Sequence, residues 1–222
     1  MKIRRSIEFK AKPEALVVGD VISFKLLDGE KVEARAIRNE GNRMLMWFED
    51  CIKGRYPMNE ENTNNGGWLD SDARSLLNTE IINRFPGKIL KHMVKDDNGD
   101  WLHLLSIEEV FGLTPDFEET EESKKLQIPA LKTEKSHIKG WGLNGETIWH
   151  WLRSPCASDA TYFCYVDDSG AAGYRSASYA CGLAPAFYLA ISNPSACPTK
   201  EEEAWHRTAN TYSRSISTRH SY

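Results

Sequence analysis

The sequence predicts an α+β fold with an antiparallel sheet, and three observations indicate it. Apolar and polar residues alternate in short runs over the first 50 positions. One segment near the middle has the apolar spacing of a helix, and turn sequences such as Asp28-Gly29 and Asp97-Asn98-Gly99 separate the runs. We expect one domain over residues 1–192 and a polar C-terminal extension over residues 193–222.

The first 50 residues predict a meander of strands. Residues 15–25 and 32–38 alternate apolar and polar side chains, with Asp28-Gly29 between them as a hairpin turn. Residues 42–48 continue the meander. The stretch 54–67 is rich in Asn, Gly and Pro, which predicts a loop.

Residues 71–85 predict the best helix of the chain. Asp70 or Ser71 can cap its start, and Pro86-Gly87 ends it. Spacings of three and four place one set of apolar side chains on a single face, which we expect to pack on the sheet. This set is Leu69, Ala73, Leu76, Leu77, Ile81 and Phe85.

The middle of the chain predicts a hairpin and a short helix. Residues 88–94 and 101–105 would pair around Asp97-Asn98-Gly99. Ser106 and Glu109 form a capping-box sequence, and Gly112 fits the end of the helix that follows. Residues 116–122 are acidic and predict an exposed segment, whereas 161–166 and 184–190 predict strands.

Composition excludes several classes of function. The 222 residues carry a net charge of -4, which gives no general attraction to nucleic acid phosphates. No apolar run is long enough for a membrane-spanning helix, so we expect no membrane insertion. The start lacks the apolar region of a secretory signal, so we expect cytoplasmic synthesis, with a place in a virion or at the cell surface by another route left open.

The five cysteines predict free thiols rather than disulfides or a metal site. Cys156, Cys164, Cys181 and Cys197 lack the close pairing of zinc ligands. Acidic clusters at residues 96–100 and 167–168 offer calcium-type oxygens, but turn formation explains them better. We therefore predict no metal and no cofactor.

Catalytic signatures are weak. The chain has neither a nucleophile elbow nor a phosphate-binding glycine loop. His92 and His103 lie in predicted strands and are expected to be packed residues. His137 and His150 flank an aromatic segment and are better candidates for a role in a site.

The strongest functional signal is the composition of residues 156–182, where Tyr, Ser, Gly and Ala dominate. Lys is absent between Lys139 and Lys200. Tyr gives a large contact area at low entropic cost, and interface centres are poor in Lys. This predicts a binding surface, with a buried β segment of no function as the alternative. The candidate contact residues are Cys156, Ala157, Ser158, Tyr162, Phe163, Ala172, Tyr174, Arg175, Ser178, Tyr179 and Cys181.

Five segments, in order, resemble a family of bacterial and phage domains related to the C-type lectin-like fold. They are GGWLDSDARSLLN (66–78), LLSIEEV (104–110), WHWLRSP (149–155), YVDDSG (165–170) and GLAPAFYL (182–189). The same fold is found in the variable proteins of diversity-generating retroelements and in formylglycine-generating enzymes. The resemblance implies two helices with an irregular antiparallel sheet over residues 17–191.

The resemblance also carries expectations about function. In retroelement variable proteins the segment between the WLRSP-like and the PAFYL-like motifs varies and forms the ligand-binding face, and by position this segment is residues 156–181. Ala184 stands where the family usually has Arg, and Cys164 and Cys181 do not match the copper-binding cysteines of the formylglycine-generating enzymes. The expected function is therefore non-catalytic ligand binding or display, with a protein or glycan partner. The alternatives are an oxidase of the formylglycine-generating type and a structural virion or surface component.

Overall fold

The computed structural model describes residues 6–8, 16–141 and 145–191. These residues belong to one compact unit that ends at Ile191. The predicted extension over residues 193–222 and Cys197 lie outside the described residues. The mixture of short helices and mostly antiparallel strands is α+β, as predicted.

The described residues contain eleven strands and four short α-helices, besides short π-helical and 3-10 segments. The strands are β1 (Ser6–Glu8), β2 (Val21–Lys25), β3 (Lys31–Asn39), β4 (Arg43–Phe48), β5 (Met93–Val94), β6 (Lys139–Gly140), β7 (Thr147–Ile148), β8 (His150–Pro155), β9 (Tyr162–Val166), β10 (Ala172–Ser176) and β11 (Ala186–Ala190). The helices are α1 (Asp72–Leu76), α2 (Gly87–Leu90), α3 (Ile107–Phe111) and α4 (Glu121–Leu126).

The main sheet has six strands in the order β1-β2-β3-β4-β11-β5. Every neighbouring pair is antiparallel except β1 and β2, which run parallel. The last strand, β11, lies between β4 and β5, so the two ends of the domain's sequence are joined in one sheet. A three-stranded sheet of β8, β9 and β10 and a small pair of β6 and β7 complete the structure.

The predicted helix over residues 71–85 is confirmed. Ser71 caps it, because its side chain accepts a hydrogen bond from the Arg74 N–H, and the helical path continues beyond α1 through a π turn and a 3-10 turn to Arg84. Leu77 is fully buried. Leu69 is 52% exposed because it precedes the cap, so its placement on the buried face was wrong.

The predicted hairpin around residues 96–99 is right in its turn and wrong in its pairing. The Asp96 Oδ1 atom accepts hydrogen bonds from the N–H groups of Asn98 and Asp100, which closes the turn. The flanking segments pair with β11 instead of with each other: β5 pairs with Tyr188 and Leu189, and His103 bridges to Ala186. Residues 87–90 are helical.

The capping box before α3 is confirmed. The Ser106 side chain accepts from the Glu109 N–H, and the Glu109 carboxylate accepts from the Ser106 N–H. Gly112 ends the helix with φ 69°, a left-handed conformation that favours glycine. The resemblance implied two helices, whereas the described residues contain four short α-helices.

Successive side chains of a strand point to opposite faces of the sheet, so the core is divided into two hydrophobic clusters. Met46 and Phe48 of β4 belong to the first cluster with Leu77, whereas Leu45 and Trp47 belong to the second. The second cluster also receives apolar side chains of α3. Trp151 and Phe187, which lie in the third and fifth motif segments, are buried at 1% and 0% exposure.

Candidate functional site

The predicted binding window forms the β9–β10 hairpin and its flanks. The turn between the strands is closed by Asp167, whose Oδ1 atom accepts hydrogen bonds from the N–H groups of Ser169 and Ala171. Asp167 therefore completes a turn with its own backbone, as the turn interpretation of this acidic cluster predicted.

The residues of the window do not form one continuous face, because successive side chains of each strand point to opposite sides of the hairpin. Tyr174 stacks on Phe117, with ring centroids 4.2 Å apart and an interplanar angle of 5°, and donates its O–H to the Pro115 carbonyl. Ala172 packs on the same side, against the second hydrophobic cluster. Arg175, the next residue of β10, lies on the opposite side of the hairpin and reaches Tyr179.

Three of the predicted contact residues are buried, and of these only Cys181 lies at the wall of a surface cleft. Phe163 has no exposure and packs in the first hydrophobic cluster, and Cys156 and Cys181 are 5% and 1% exposed. The assignment of Phe163 and Cys156 to a binding surface was wrong, because composition does not separate inward from outward positions. The exposed members of the set are Ala157, Ser158, Tyr162, Ser178 and Tyr179.

The side of the hairpin that carries Arg175 borders a surface cleft of about 270 Å³. Arg55, Trp149, Asp168 and Tyr179 line it. The Arg175 guanidinium lies 5.1 Å from the centroid of the Trp149 ring and 4.3 Å from that of Tyr179. We call this cleft, together with the Arg175 side chain that stands against two of its lining rings, the aromatic–arginine cleft.

Packing beneath the cleft fixes the position of Trp149. Its indole N–H faces the Asp168 carboxylate at 3.4 Å, and its ring lies 5.2 Å from that of Tyr165. Gly173 is paired with Tyr165 across the hairpin, and a Cβ atom on Gly173 would stand 2.7 Å from the Tyr165 ring. The absence of a side chain at Gly173 therefore lets the Tyr165 ring lie across β10 and support Trp149.

The thiols near the cleft are not activated. Burial raises the pKa of Cys181 to about 12, although Arg175 and Arg55 act in the opposite direction. Burial also raises the pKa of Cys164, and this residue belongs to the other hydrophobic cluster. A thiolate is the reactive and metal-binding form of cysteine, so neither residue is arranged as a nucleophile.

The two histidines that flank the aromatic segment are packed. His150 is fully buried, and burial lowers its pKa well below the usual value, which keeps the imidazole neutral. The His137 ring nitrogens face two backbone carbonyls, with Nε2 2.5 Å from the Leu131 oxygen. In residues 6–8, 16–141 and 145–191, no three His, Cys, Asp or Glu side chains come together as metal ligands.

The cleft residues missed by sequence reasoning come from separate segments. Trp149 and Asp168 lie in motif segments of the resemblance, so attention to those motifs could have found them. Arg55 lies in the polar loop over residues 54–67 and has no sequence signal of its own. Only the fold brings it beside Trp149.

The fold is that of a small α+β domain with mostly antiparallel sheets and a surface cleft. Residues 40–191 match the family described as a domain of unknown function (DUF6273), and the chain belongs to this family. The match includes all five motif segments named above. No curated protein and no solved structure matches the chain. Within the described part of the chain, no helix has the length and apolar character to cross a bilayer.

Proposed function

We propose that this domain is a non-catalytic binding protein whose aromatic–arginine cleft receives an acidic side chain of a protein partner. The observation that carries the proposal is the Arg175 guanidinium held over Trp149 and Tyr179, with Arg55 lining the same cleft. Trp, Tyr and Arg supply most of the binding energy of protein interfaces. A guanidinium also matches the geometry of a carboxylate.

The size and chemistry of the cleft favour a protein over a glycan. A volume of about 270 Å³ suits a single side chain or one sugar unit. Arg175 lies over the Trp149 and Tyr179 rings, which are the surfaces on which a sugar would stack. The same arrangement leaves guanidinium N–H groups to meet a carboxylate.

Absence of catalysis is part of the proposal. The protonated thiol of Cys181 and the neutral, enclosed imidazole of His150 support it, because nucleophilic catalysis needs an activated nucleophile beside a base. The same observations disfavour an oxidase that works through Cys164 and Cys181, since these thiols belong to different hydrophobic clusters.

Selection from a displayed peptide library against the immobilised intact chain tests the proposal, with a glycan array in parallel. We expect peptides with Asp or Glu at the anchor position and affinities that fall with rising salt. Arg175→Ala should weaken them at least tenfold, and Arg55→Ala should weaken them less because Arg55 is more exposed.

Tyr162→Ser is the matched control, because Tyr162 is an exposed aromatic residue of the same window and does not line the cleft. It should leave the affinities unchanged. Ligands that bind Arg175→Ala and the unmodified chain equally, or binding on the glycan array alone, would contradict the proposal.

Diversification by a retroelement is a separate prediction. Exposed residues such as Ser158, Ser178 and Tyr179 can vary without opening the core, whereas Phe163 cannot. Sequencing the DNA around the gene tests it. We expect a near-copy of the segment that encodes residues 150–190, altered only at adenines, beside a reverse transcriptase gene. If neither is found, the retroelement prediction fails and the binding proposal stands alone.

A further inference from the structure

A second cavity, of about 210 Å³, lies where β3, β4, β11 and the turn over residues 96–99 meet α3 and β8. It shares no residue with the aromatic–arginine cleft, and its lining is polar or charged throughout. We call it the charged pocket. Its principal residues are Arg38, Arg43, Asp96, His103, Glu109 and Arg153.

Most charges of the pocket are paired within the domain. The Glu109 carboxylate meets the Arg153 guanidinium at 2.9 Å and that of Arg38 at 3.3 Å. Glu40 meets Arg38 at 2.6 Å and Arg43 at 2.8 Å. These pairs fix three guanidinium groups around one small volume.

Asp96 and His103 are the exception to this pairing. The Oδ1 atom of Asp96 accepts the two hydrogen bonds that close the turn. The Oδ2 atom of Asp96 lies 3.6 Å from the His103 Nδ1 atom, which is too far for a hydrogen bond. His103 is 2% exposed, and its Nδ1 atom has no hydrogen-bond partner. A buried nitrogen without a hydrogen-bond partner destabilises the folded state. A bound group that forms a hydrogen bond with this nitrogen would therefore be stabilising.

The imidazole of His103 is suited to act as an acceptor. Burial and the nearby guanidinium groups lower the pKa of His103 to about 3, so the ring is neutral at physiological pH. A neutral imidazole has one nitrogen that accepts a hydrogen bond. In the tautomer that carries its proton on Nε2, the Nδ1 atom is the acceptor, and together with the Asp96 Oδ2 atom it gives two acceptors 3.6 Å apart at the pocket.

We propose that the charged pocket binds a small zwitterion of the free α-amino acid class. An ammonium group to one side of the Asp96 Oδ2 and His103 Nδ1 atoms, which are 3.6 Å apart, can donate to both at about 2.9 Å. A carboxylate beside it can accept from Arg153, whose five N–H groups exceed the acceptors offered by Glu109 and the Leu104 carbonyl. The ligand must be small and polar to suit a volume of about 210 Å³ with this lining.

Charge balance in the pocket argues against simpler ligands. A lone cation would face Arg38, Arg43 and Arg153, which repel it. A lone anion would face the carboxylates of Glu40, Glu109, Asp96 and Asp97. A zwitterion presents each of its charges to the opposite kind of side chain, which makes both interactions favourable.

Thermal unfolding of the intact chain with a panel of free amino acids tests the proposal. At least one amino acid should raise the melting temperature, because a ligand that binds only the folded state stabilises it. Taking serine as an example, ethanolamine lacks the carboxylate and 3-hydroxypropionate lacks the ammonium. The corresponding half-analogues of the amino acid that binds should give no rise.

Asp96→Asn should weaken binding of that amino acid at least tenfold by calorimetry, because an amide cannot pair with an ammonium group, while its oxygen can still close the turn. Asp167→Asn is the matched control, since Asp167 closes a similar turn away from the pocket, and it should bind normally. If no amino acid binds, or if Asp96→Asn binds equally well, the charged residues of the charged pocket only stabilise the fold, and the proposal is overturned. The comparison with half-analogues decides the matter even if Asp96→Asn fails to fold.

Discussion

His150 is enclosed between Trp47 and the strands around it, and both of its ring nitrogens lack a hydrogen-bond partner. Its pKa is well below the usual value in the folded chain, so the unfolded chain binds more protons as the pH falls below about 6.5. Stability from this group is therefore present at neutral pH and is lost on acidification.

Between pH 7 and pH 5, we expect His150 to lower the free energy of unfolding by about 2 kcal/mol, as would any other histidine that burial keeps neutral. The lowered pKa values of Glu40 and Asp97 should add to this loss at lower pH, whereas the raised pKa of Asp50 should oppose it. Denaturant unfolding at several pH values measures the slope. His150→Leu should have a shallower slope than the unmodified chain, and an unchanged slope would contradict the burial of this ring.

The cysteines give a second prediction at the residue scale. Cys51, Cys156, Cys164 and Cys181 are buried and free, so a thiol reagent should react slowly with the native chain. After denaturation without reductant, all five cysteines of the sequence should react. A reduced sample gives the reference count, and a deficit of two or four in the unreduced sample would indicate disulfides.

At the scale of elements, the helix that starts at Ser71 depends on Leu77, which is fully buried in the first hydrophobic cluster. Leu77→Asp should lower the free energy of unfolding by several kcal/mol, because it removes a buried apolar group and encloses a carboxylate. Leu69→Asp, at a 52% exposed position just before the cap, should cost little. Urea unfolding of both variants measures the difference, and equal effects would contradict the assigned face.

Elements that depend on residues nearby in the sequence could be predicted, whereas elements that depend on a strand far away in the sequence could not. The helix after Ser71 and the capping box of Ser106 depend on residues within one or two turns, and both are correct. The pairing of β5 with β11 depends on a strand about 95 positions away, so a local turn signal assigned the wrong partner.

The candidate site was only partly predictable for a related reason. Composition located the β9–β10 hairpin and with it Arg175 and Tyr179. It could not assign inward and outward positions, which placed Phe163 wrongly at the surface. Arg55 and Trp149 come from other segments, and only the folded sheets bring them to the same cleft.

At the scale of the whole molecule, the two hydrophobic clusters share the strands of the main sheet. Leu104 and Leu105 are neighbours in sequence, yet the first belongs to one cluster and the second to the other. Both are essentially unexposed. Because the same strands supply both clusters, loss of packing in one should loosen the sheet that supports the other.

We therefore expect the described domain to unfold in one cooperative transition. Leu104→Ala and Leu105→Ala should each cost about 2–5 kcal/mol, the usual range for truncating a buried leucine. Each variant should shift a single transition, seen at the same midpoint by tryptophan fluorescence and by far-ultraviolet circular dichroism. If the clusters were independent, Leu105→Ala would instead split unfolding into two transitions, because the second cluster would melt before the first, which holds Trp68 and Trp151.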